Sequence, residues 1–180
     1  EEYTNEIING DIHTANQKAA GLESRDQAKT FIYALIYGAG DAKLGSVVRG
    51  SREDGKRLRQ HFFDSNPSFK ALRDKVSRAS KKGYLKGLDG RKIFIRSEHA
   101  ALNSLLQGGG AVIMKKGLAL LDSLIKLNTF DAKFVANIHD EWQMEVREDL
   151  ADHIGTLAIE CIKRAGEFYN LRCPMDGEYK

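Results

Sequence analysis

The sequence predicts an α+β protein with a mostly helical first part, residues 1–82, and a mixed second part, residues 83–180. Apolar side chains recur at helical spacing in both parts. The second part also contains two pairs of short β-prone runs, over residues 84–96 and 133–147, and each pair encloses turn-forming residues. These runs predict two hairpins, and therefore a short antiparallel sheet beside the helices.

Length and composition limit the architecture. A chain of 180 residues with 42% hydrophobic and 29% charged residues can form one sizeable core or two small subdomains. No apolar run approaches the ~18 residues of a membrane-spanning helix. Cys161 and Cys173 lack the spacing of a metal site or a disulfide framework, so we predict two reduced thiols in a cytosolic protein, with Cys161 in the core.

The first part is predicted to contain three longer helices after short helical pieces over residues 3–21. In the helix predicted over residues 24–38, Ser24 is a favourable N-cap and Gln27 holds the capping-box position. The apolar stripe of this helix comprises Ala28, Phe31, Ile32 and Leu35, and Gly38 and Gly40 end it.

The next two predicted helices, residues 51–65 and 67–82, are polar and are separated by Asn66-Pro67. Lys and Arg are frequent from Arg49 to Lys92, although the net charge of the chain is only +3. Such a run indicates either an anionic partner or a solvated helix surface.

The second part begins with a hairpin predicted around Asp89-Gly90. A helix over residues 100–127 contains three consecutive glycines, which predict close backbone packing or a local break. A second hairpin, over residues 133–147, precedes an amphipathic helix over residues 149–169.

One flank of the predicted helix 24–38 carries two cations and then two aromatic rings. Arg25, Lys29, Tyr33 and Tyr37 recur every four residues, so their side chains share one side of the helix. The two cations add to the positive end of the helix dipole, which favours an anion. A nucleoside triphosphate matches this order of charge and rings; the alternative is a surface helix with exposed cations and half-buried tyrosines.

The second hairpin carries adjacent carboxylates, Asp140 and Glu141, after His139. Carboxylates in a strand turn are typical ligands of Mg²⁺ in sites that act on phosphates. A His-Asp doublet also occurs in phosphohydrolases of the His-Asp type, but these enzymes carry the doublet on a helix.

Four blocks of sequence, in order, resemble the family A DNA polymerases, the DNA polymerase I-like enzymes. They are "GDIHTANQ", the pattern Arg-x3-Lys-x3-Tyr-x3-Tyr-Gly, "AALNSLLQGGGA" and "HDE" between two strands. Short segments such as "AKTFIY", "IYGAGD" and "GLDGRK" resemble those of the phage branch, the T-odd-type replicative polymerases. The resemblance covers residues 10–147, and it implies a fingers subdomain over residues 1–82 and the C-terminal part of a palm subdomain over residues 83–180.

The resemblance implies roles for the helix 24–38 and for the residues that precede it. Arg25, Lys29 and His13 would hold the incoming deoxynucleoside triphosphate, and Lys29 would also act in catalysis. Tyr33 would lie under the nucleotide sugar, where Tyr in this family goes with tolerance of dideoxynucleotides. Tyr37, beside Gly38 and Gly40, would contact the primer–template DNA.

The resemblance also implies DNA-binding and metal-binding residues in the second part. Gln107, Asn103 and His99 would face the minor groove, although His99 occupies a position where many family members have Arg. Asp140 would bind two Mg²⁺ ions, with His139 and Glu141 as further catalytic residues.

The first catalytic motif of the family, a strand with the second metal-binding Asp, has no match in the sequence. We therefore expect a polymerase fragment that is inactive alone and that needs the upstream palm and thumb segment of the same polymerase. An encoding phage would place the enzyme in the host cytoplasm. The alternative is a non-catalytic nucleotide- or DNA-binding module derived from such a polymerase.

Overall fold

The computed structural model describes residues 5–6 and 10–180, so most of the helical pieces predicted before Gly10 lie outside the described residues. From Ile12 onward, the order is helix α1 Ile12–Ala20, α2 Arg25–Ile36, α3 Asp41–Ser46, α4 Arg52–Ser65, α5 Pro67–Ser80, strands β1 Tyr84–Lys86 and β2 Lys92–Phe94, helix α6 Ala101–Leu127, strands β3 Ala132–Ile138 and β4 Glu141–Val146, and helix α7 Ala151–Phe168. Short 3₁₀ turns, Glu98–Ala100 and Glu148–Leu150, precede α6 and α7.

The predicted α+β fold class is confirmed, because helices occur together with two antiparallel strand pairs. Among the described residues, no helix is both long and apolar enough to cross a bilayer.

The chain divides into two compact units. The first comprises residues 1–85 and 92–105, and the second comprises residues 86–91 and 106–180. The hairpin β1–β2 and helix α6 therefore each contribute residues to both units.

The core of the first unit forms where α2 packs with α1, α3 and α4. The predicted stripe of α2 is confirmed as buried: Ala28, Phe31, Ile32 and Leu35 are all at most 5% exposed. Phe31 and Phe62 meet edge to face with ring centroids 5.8 Å apart, a favourable arrangement for aromatic rings. Burial of one side of α2 leaves its other side for polar residues.

Local signals set both ends of α2. The Ser24 hydroxyl accepts a hydrogen bond from the Gln27 amide at 3.2 Å, as an N-cap does. The Gln27 side chain accepts from the amide of Glu23 at 3.2 Å, one residue before the N-cap, so this is not the reciprocal capping box that the spacing predicts. Beyond the helix, Gly38 has φ +81°, a conformation that favours glycine.

The glycine run in α6 does not break the helix, which continues through residues 108–110. A Cβ on Gly109 or Gly110 would meet no described atom within 4 Å. Within the described residues, these two glycines therefore do not mark close packing. The prediction of close packing or a local break is wrong for them.

The core of the second unit lies between α6, α7 and the inner face of the β3–β4 hairpin. Cys161 is fully buried there and free, and burial raises the pKa of its thiol. Cys173 is also free, at a partly exposed position. Trp142 of β4 packs edge to face on Phe134, with centroids 6.4 Å apart, and reaches α6 at Gly117.

Gly117→Ala is expected to destabilise the second unit by about 1–3 kcal/mol through overpacking. The added Cβ would lie 2.9 Å from Cη2 of Trp142. Trp142→Leu removes that contact, so the double variant should lose less stability than the two single losses together. Denaturant unfolding and hydrogen exchange of the α6 and β4 amides measure the effect.

Gly109→Ala is the matched control, since it adds a Cβ on the same helix where no described atom is near. It should be neutral or stabilising, because Ala favours a helix more than Gly does. Equal losses at both glycines would contradict a specific contact between Gly117 and Trp142.

Candidate functional site

The exposed face of α2 carries the cations and rings that the sequence singled out. Arg25, Lys29, Tyr33 and Tyr37 are all solvent-exposed, and the two tyrosines are 48% and 56% exposed. The face is therefore open to a ligand that offers negative charge at one end and a flat ring at the other.

Arg25 is held at the start of this face by Asp11. The Arg25 Nε donates to the Asp11 carboxylate at 2.7 Å. The hydrogen bond from Arg25 lowers the pKa of the Asp11 carboxyl well below its usual range. The lowered pKa keeps the Asp11 carboxylate charged, so at neutral pH it is an ionic acceptor for Arg25.

Lys29 lies one turn further along the helix. Within the part of the chain that the structure describes, its ammonium makes no ion pair or hydrogen bond. An unpaired Lys on a flexible stem is a mobile point charge, which suits contact with a phosphate.

His13 of α1 lies beside the tyrosine part of the face. Its ring centroid is 6.4 Å from that of Tyr33, and its Nδ1 is buried without a hydrogen-bond partner in the described structure. The tertiary fold thus brings His13, Arg25, Lys29 and Tyr33 to one region of the first unit.

A cleft in the same unit begins where α2 ends. Gly38 lies so close to the His99 carbonyl that a Cβ would overlap the oxygen, and its φ is +81°. Gly40 and His99 also line this cleft. Four charged or polar side chains that sequence reasoning did not single out contribute to the wall: Arg59, Arg73, Ser77 and Glu98.

Asn103 and Gln107 stand four residues apart on α6, so they share one side of the helix. Gln107 is exposed, whereas Asn103 is half-buried, and its side-chain oxygen has no hydrogen-bond partner among the described residues.

The carboxylate motif forms the tight turn of the β3–β4 hairpin. Ile138 pairs with Glu141, so His139 and Asp140 are the two turn residues. His139 has φ +56°, which is uncommon for a residue other than glycine. All three side chains of the motif are exposed. The doublet thus lies in a turn rather than on a helix, which contradicts the His-Asp phosphohydrolase alternative.

A bulge in β3 precedes this turn. The register shifts between Phe134 and Ala136, which leaves Val135 as the extra residue. A bulge bends a strand and redirects the residues that follow it. Among the described residues, no group of three or more His, Cys, Asp or Glu side chains could hold a metal ion.

The model of DNA polymerase family A matches residues 5–180 of the chain. The chain belongs to DNA polymerase family A. Two phage relatives named DNA-directed DNA polymerase are similar to it: that of Escherichia phage Phieco32 at 43% identity over 96% of this chain, and that of Escherichia phage T7 at 40% over 99%. The chain spans 29% of the length of each of these relatives.

A solved structure also resembles this family A chain. It is described as the POL domain of Pol1 from M. smegmatis in complex with DNA primer-template and dNTP. The TM-score is 0.78 at 26% identity, over 86% of this chain and 31% of that chain. The shared fold agrees with the family assignment.

Sequence reasoning missed Asp11. Its signal was present as an Asp at the N-cap of the predicted helical segment, but the partner Arg25 is fourteen residues away, across a turn. Only the packing of α1 on α2 brings the two charges together.

Proposed function

We propose that this chain is the nucleotide-binding part and one portion of the catalytic part of a DNA-directed DNA polymerase. The complete enzyme adds deoxynucleoside triphosphates to a primer 3′-hydroxyl by two-metal phosphoryl transfer in DNA replication. The observation that carries this proposal is the exposed α2 face, with its ordered cations and rings, in a chain of family A.

In this proposal, Arg25, Lys29 and His13 bind the triphosphate. Arg and Lys neutralise the charge that develops on the leaving pyrophosphate, and Lys29 thereby contributes to catalysis. Tyr33 lies under the sugar. The exposure of Lys29 and Tyr33, and the proximity of His13 to Tyr33, support these roles.

Primer–template DNA is proposed to contact the cleft and the start of α6. Tyr37, Gly38, Gly40 and His99 lie at or beside the cleft, where a glycine backbone allows close approach of a base. Asn103 and Gln107 face the minor groove, whose acceptor atoms are present in every base pair.

Asp140 is the proposed metal ligand of this chain, with His139 and Glu141 beside it. An exposed carboxylate in a turn suits a hard cation such as Mg²⁺. Two bound Mg²⁺ ions would activate the 3′-hydroxyl and stabilise the leaving group. The tight turn between paired strands restricts where the Asp140 carboxylate can lie.

The remaining ligands are proposed to come from an upstream palm and thumb segment of the same polymerase, so the isolated chain is inactive. Residues 1–82 would be the fingers and residues 83–180 part of the palm. Within the described residues, β3 pairs only with β4, and Val135 and Ile138 of β3 are 67% and 48% exposed. An added strand or helix would cover such apolar side chains. A phage-encoded enzyme would act in the host cytoplasm.

Tyr33→Phe in the complete polymerase tests the nucleotide site. The variant removes only one hydroxyl, at an exposed ring. By the resemblance to family A, it should increase rejection of dideoxynucleotides, while Mg²⁺-dependent extension with ordinary nucleotides continues. Competition between each dideoxynucleotide and its natural counterpart, read from chain termination, measures the ratio.

Tyr84→Phe is the control for loss of a tyrosine hydroxyl elsewhere in the first unit. Unaltered termination in Tyr33→Phe would contradict the sugar-facing role. A complete protein that binds nucleotide and DNA but does not extend a primer would instead support the non-catalytic binding module.

A further inference from the structure

The Asp11 carboxylate connects α1 to the exposed face of α2. One oxygen, Oδ2, accepts from Arg25 Nε at 2.7 Å and from the Thr14 hydroxyl at 2.9 Å. The other, Oδ1, accepts from the backbone amides of His13 at 3.0 Å and Thr14 at 3.4 Å. A single side chain therefore caps α1 and holds a cation of α2.

The bond to Arg25 uses only one edge of the guanidinium. The Nε–H points to Asp11, while the two terminal Nη groups donate no hydrogen bond to a described residue. A guanidinium has five N–H donors in a rigid plane, so fixing Nε also fixes the direction of the remaining four. Arg25 is thus oriented while its fork stays available to phosphate oxygens.

The same carboxylate acts on His13. Its bond to the His13 amide fixes the first residues of α1, and the His13 ring then lies 6.4 Å from the Tyr33 ring. Asp11 therefore sets the positions of two proposed triphosphate ligands that come from different helices.

A contribution to stability alone does not explain this arrangement. The side chains of Arg25 and Asp11 are 52% and 43% exposed, and an ion pair as exposed as this adds little to folding. The cap of α1 also requires only an oxygen acceptor, which a neutral side chain can supply.

We propose that Asp11 is a positioning residue of the nucleotide site, which orients Arg25 and His13 toward the triphosphate. This inference rests on the proposed function. It predicts that removal of the Asp11 charge weakens nucleotide binding. Loss of a negative charge beside the triphosphate would by itself strengthen binding, so the positioning role predicts a change of the opposite sign.

The test uses Asp11→Asn in the complete polymerase. Asn keeps an oxygen that can cap α1 but loses the ionic bond to Arg25. The nucleotide Kd from single-turnover incorporation should rise roughly tenfold, with the maximal rate within about twofold of the parent. Thermal unfolding should be unchanged. Asp11→Ser, another good N-cap, should give the same result and serves if the Asn variant does not fold.

Asp54→Asn is the matched control. Asp54 also accepts a backbone amide at a helix start, that of Ser51 at 2.8 Å, and pairs with Arg57 at 2.8 Å. Its replacement should leave the nucleotide Kd unchanged. In an Arg25→Ala background, Asp11→Asn should add only the smaller part of its effect that acts through His13.

The outcomes separate the two proposals. If Arg25→Ala leaves the nucleotide Kd unchanged, the proposed nucleotide site itself fails. If Arg25→Ala raises the Kd but Asp11→Asn does not, or lowers it, the positioning role is overturned. An Asp11→Asn effect of undiminished size in the Arg25→Ala background overturns it as well.

Discussion

Asp140→Ala in the complete polymerase is expected to abolish Mg²⁺-dependent primer extension while leaving DNA binding intact. A carboxylate that holds a catalytic metal ion is worth several kcal/mol of transition-state stabilisation, so the rate should fall by about three orders of magnitude or more. The side chain is exposed in a turn, so its removal should not disturb the core. Single-turnover extension, with DNA affinity measured in parallel, provides the test.

Asp131→Ala is the control at the other end of the same hairpin. Asp131 is also exposed, and its backbone carbonyl accepts from the Arg147 amide at 3.1 Å, while its side chain makes no hydrogen bond to a described residue. This variant should extend primers at the parent rate. Unaltered extension by Asp140→Ala would rule out Asp140 as a metal ligand.

Lys29→Ala should weaken nucleotide binding and incorporation by roughly 10- to 100-fold, the usual range for a lost hydrogen bond to a charged group. Within the described residues Lys29 has no ion-pair partner, so the variant leaves no unpaired carboxylate behind. The dependence of the incorporation rate on nucleotide concentration measures the effect, and DNA affinity should change little.

Lys75→Ala removes a comparable exposed Lys from α5 and is the control for lost positive charge in the first unit. It should leave nucleotide incorporation unchanged. A defect of Lys29→Ala confined to DNA affinity, with a salt dependence typical of phosphate-backbone contacts, would contradict its nucleotide role.

The helices were predictable because their signals are local. Ser24 caps α2 as expected, Asn66-Pro67 separates α4 from α5, and the hairpin over residues 133–147 follows from two β-prone runs. Each depends on residues that are near one another in the sequence, and on backbone preferences that packing reinforces.

Features that depend on distant residues were not predictable in the same way. The sequence alone did not explain why a Trp occupies position 142. In the fold, its side chain packs against Gly117 of helix α6. The bulge at Val135 could not be predicted from the sequence either, because one extra residue changes the strand pairing without changing the hydrophobic pattern that precedes it.

The amino-acid sequence by itself determined the α+β class, the face of α2 that carries Arg25, Lys29, Tyr33 and Tyr37, and the membership in family A that its motif order predicted. Helical spacing and motif order are properties of a linear chain, so they can be seen without a structure. Only the tertiary structure decided that Asp11 holds Arg25 and that His13 lies beside Tyr33. These contacts arise because the packing of α1 on α2 brings together side chains that are fourteen and twenty residues apart, and no local pattern encodes that approach.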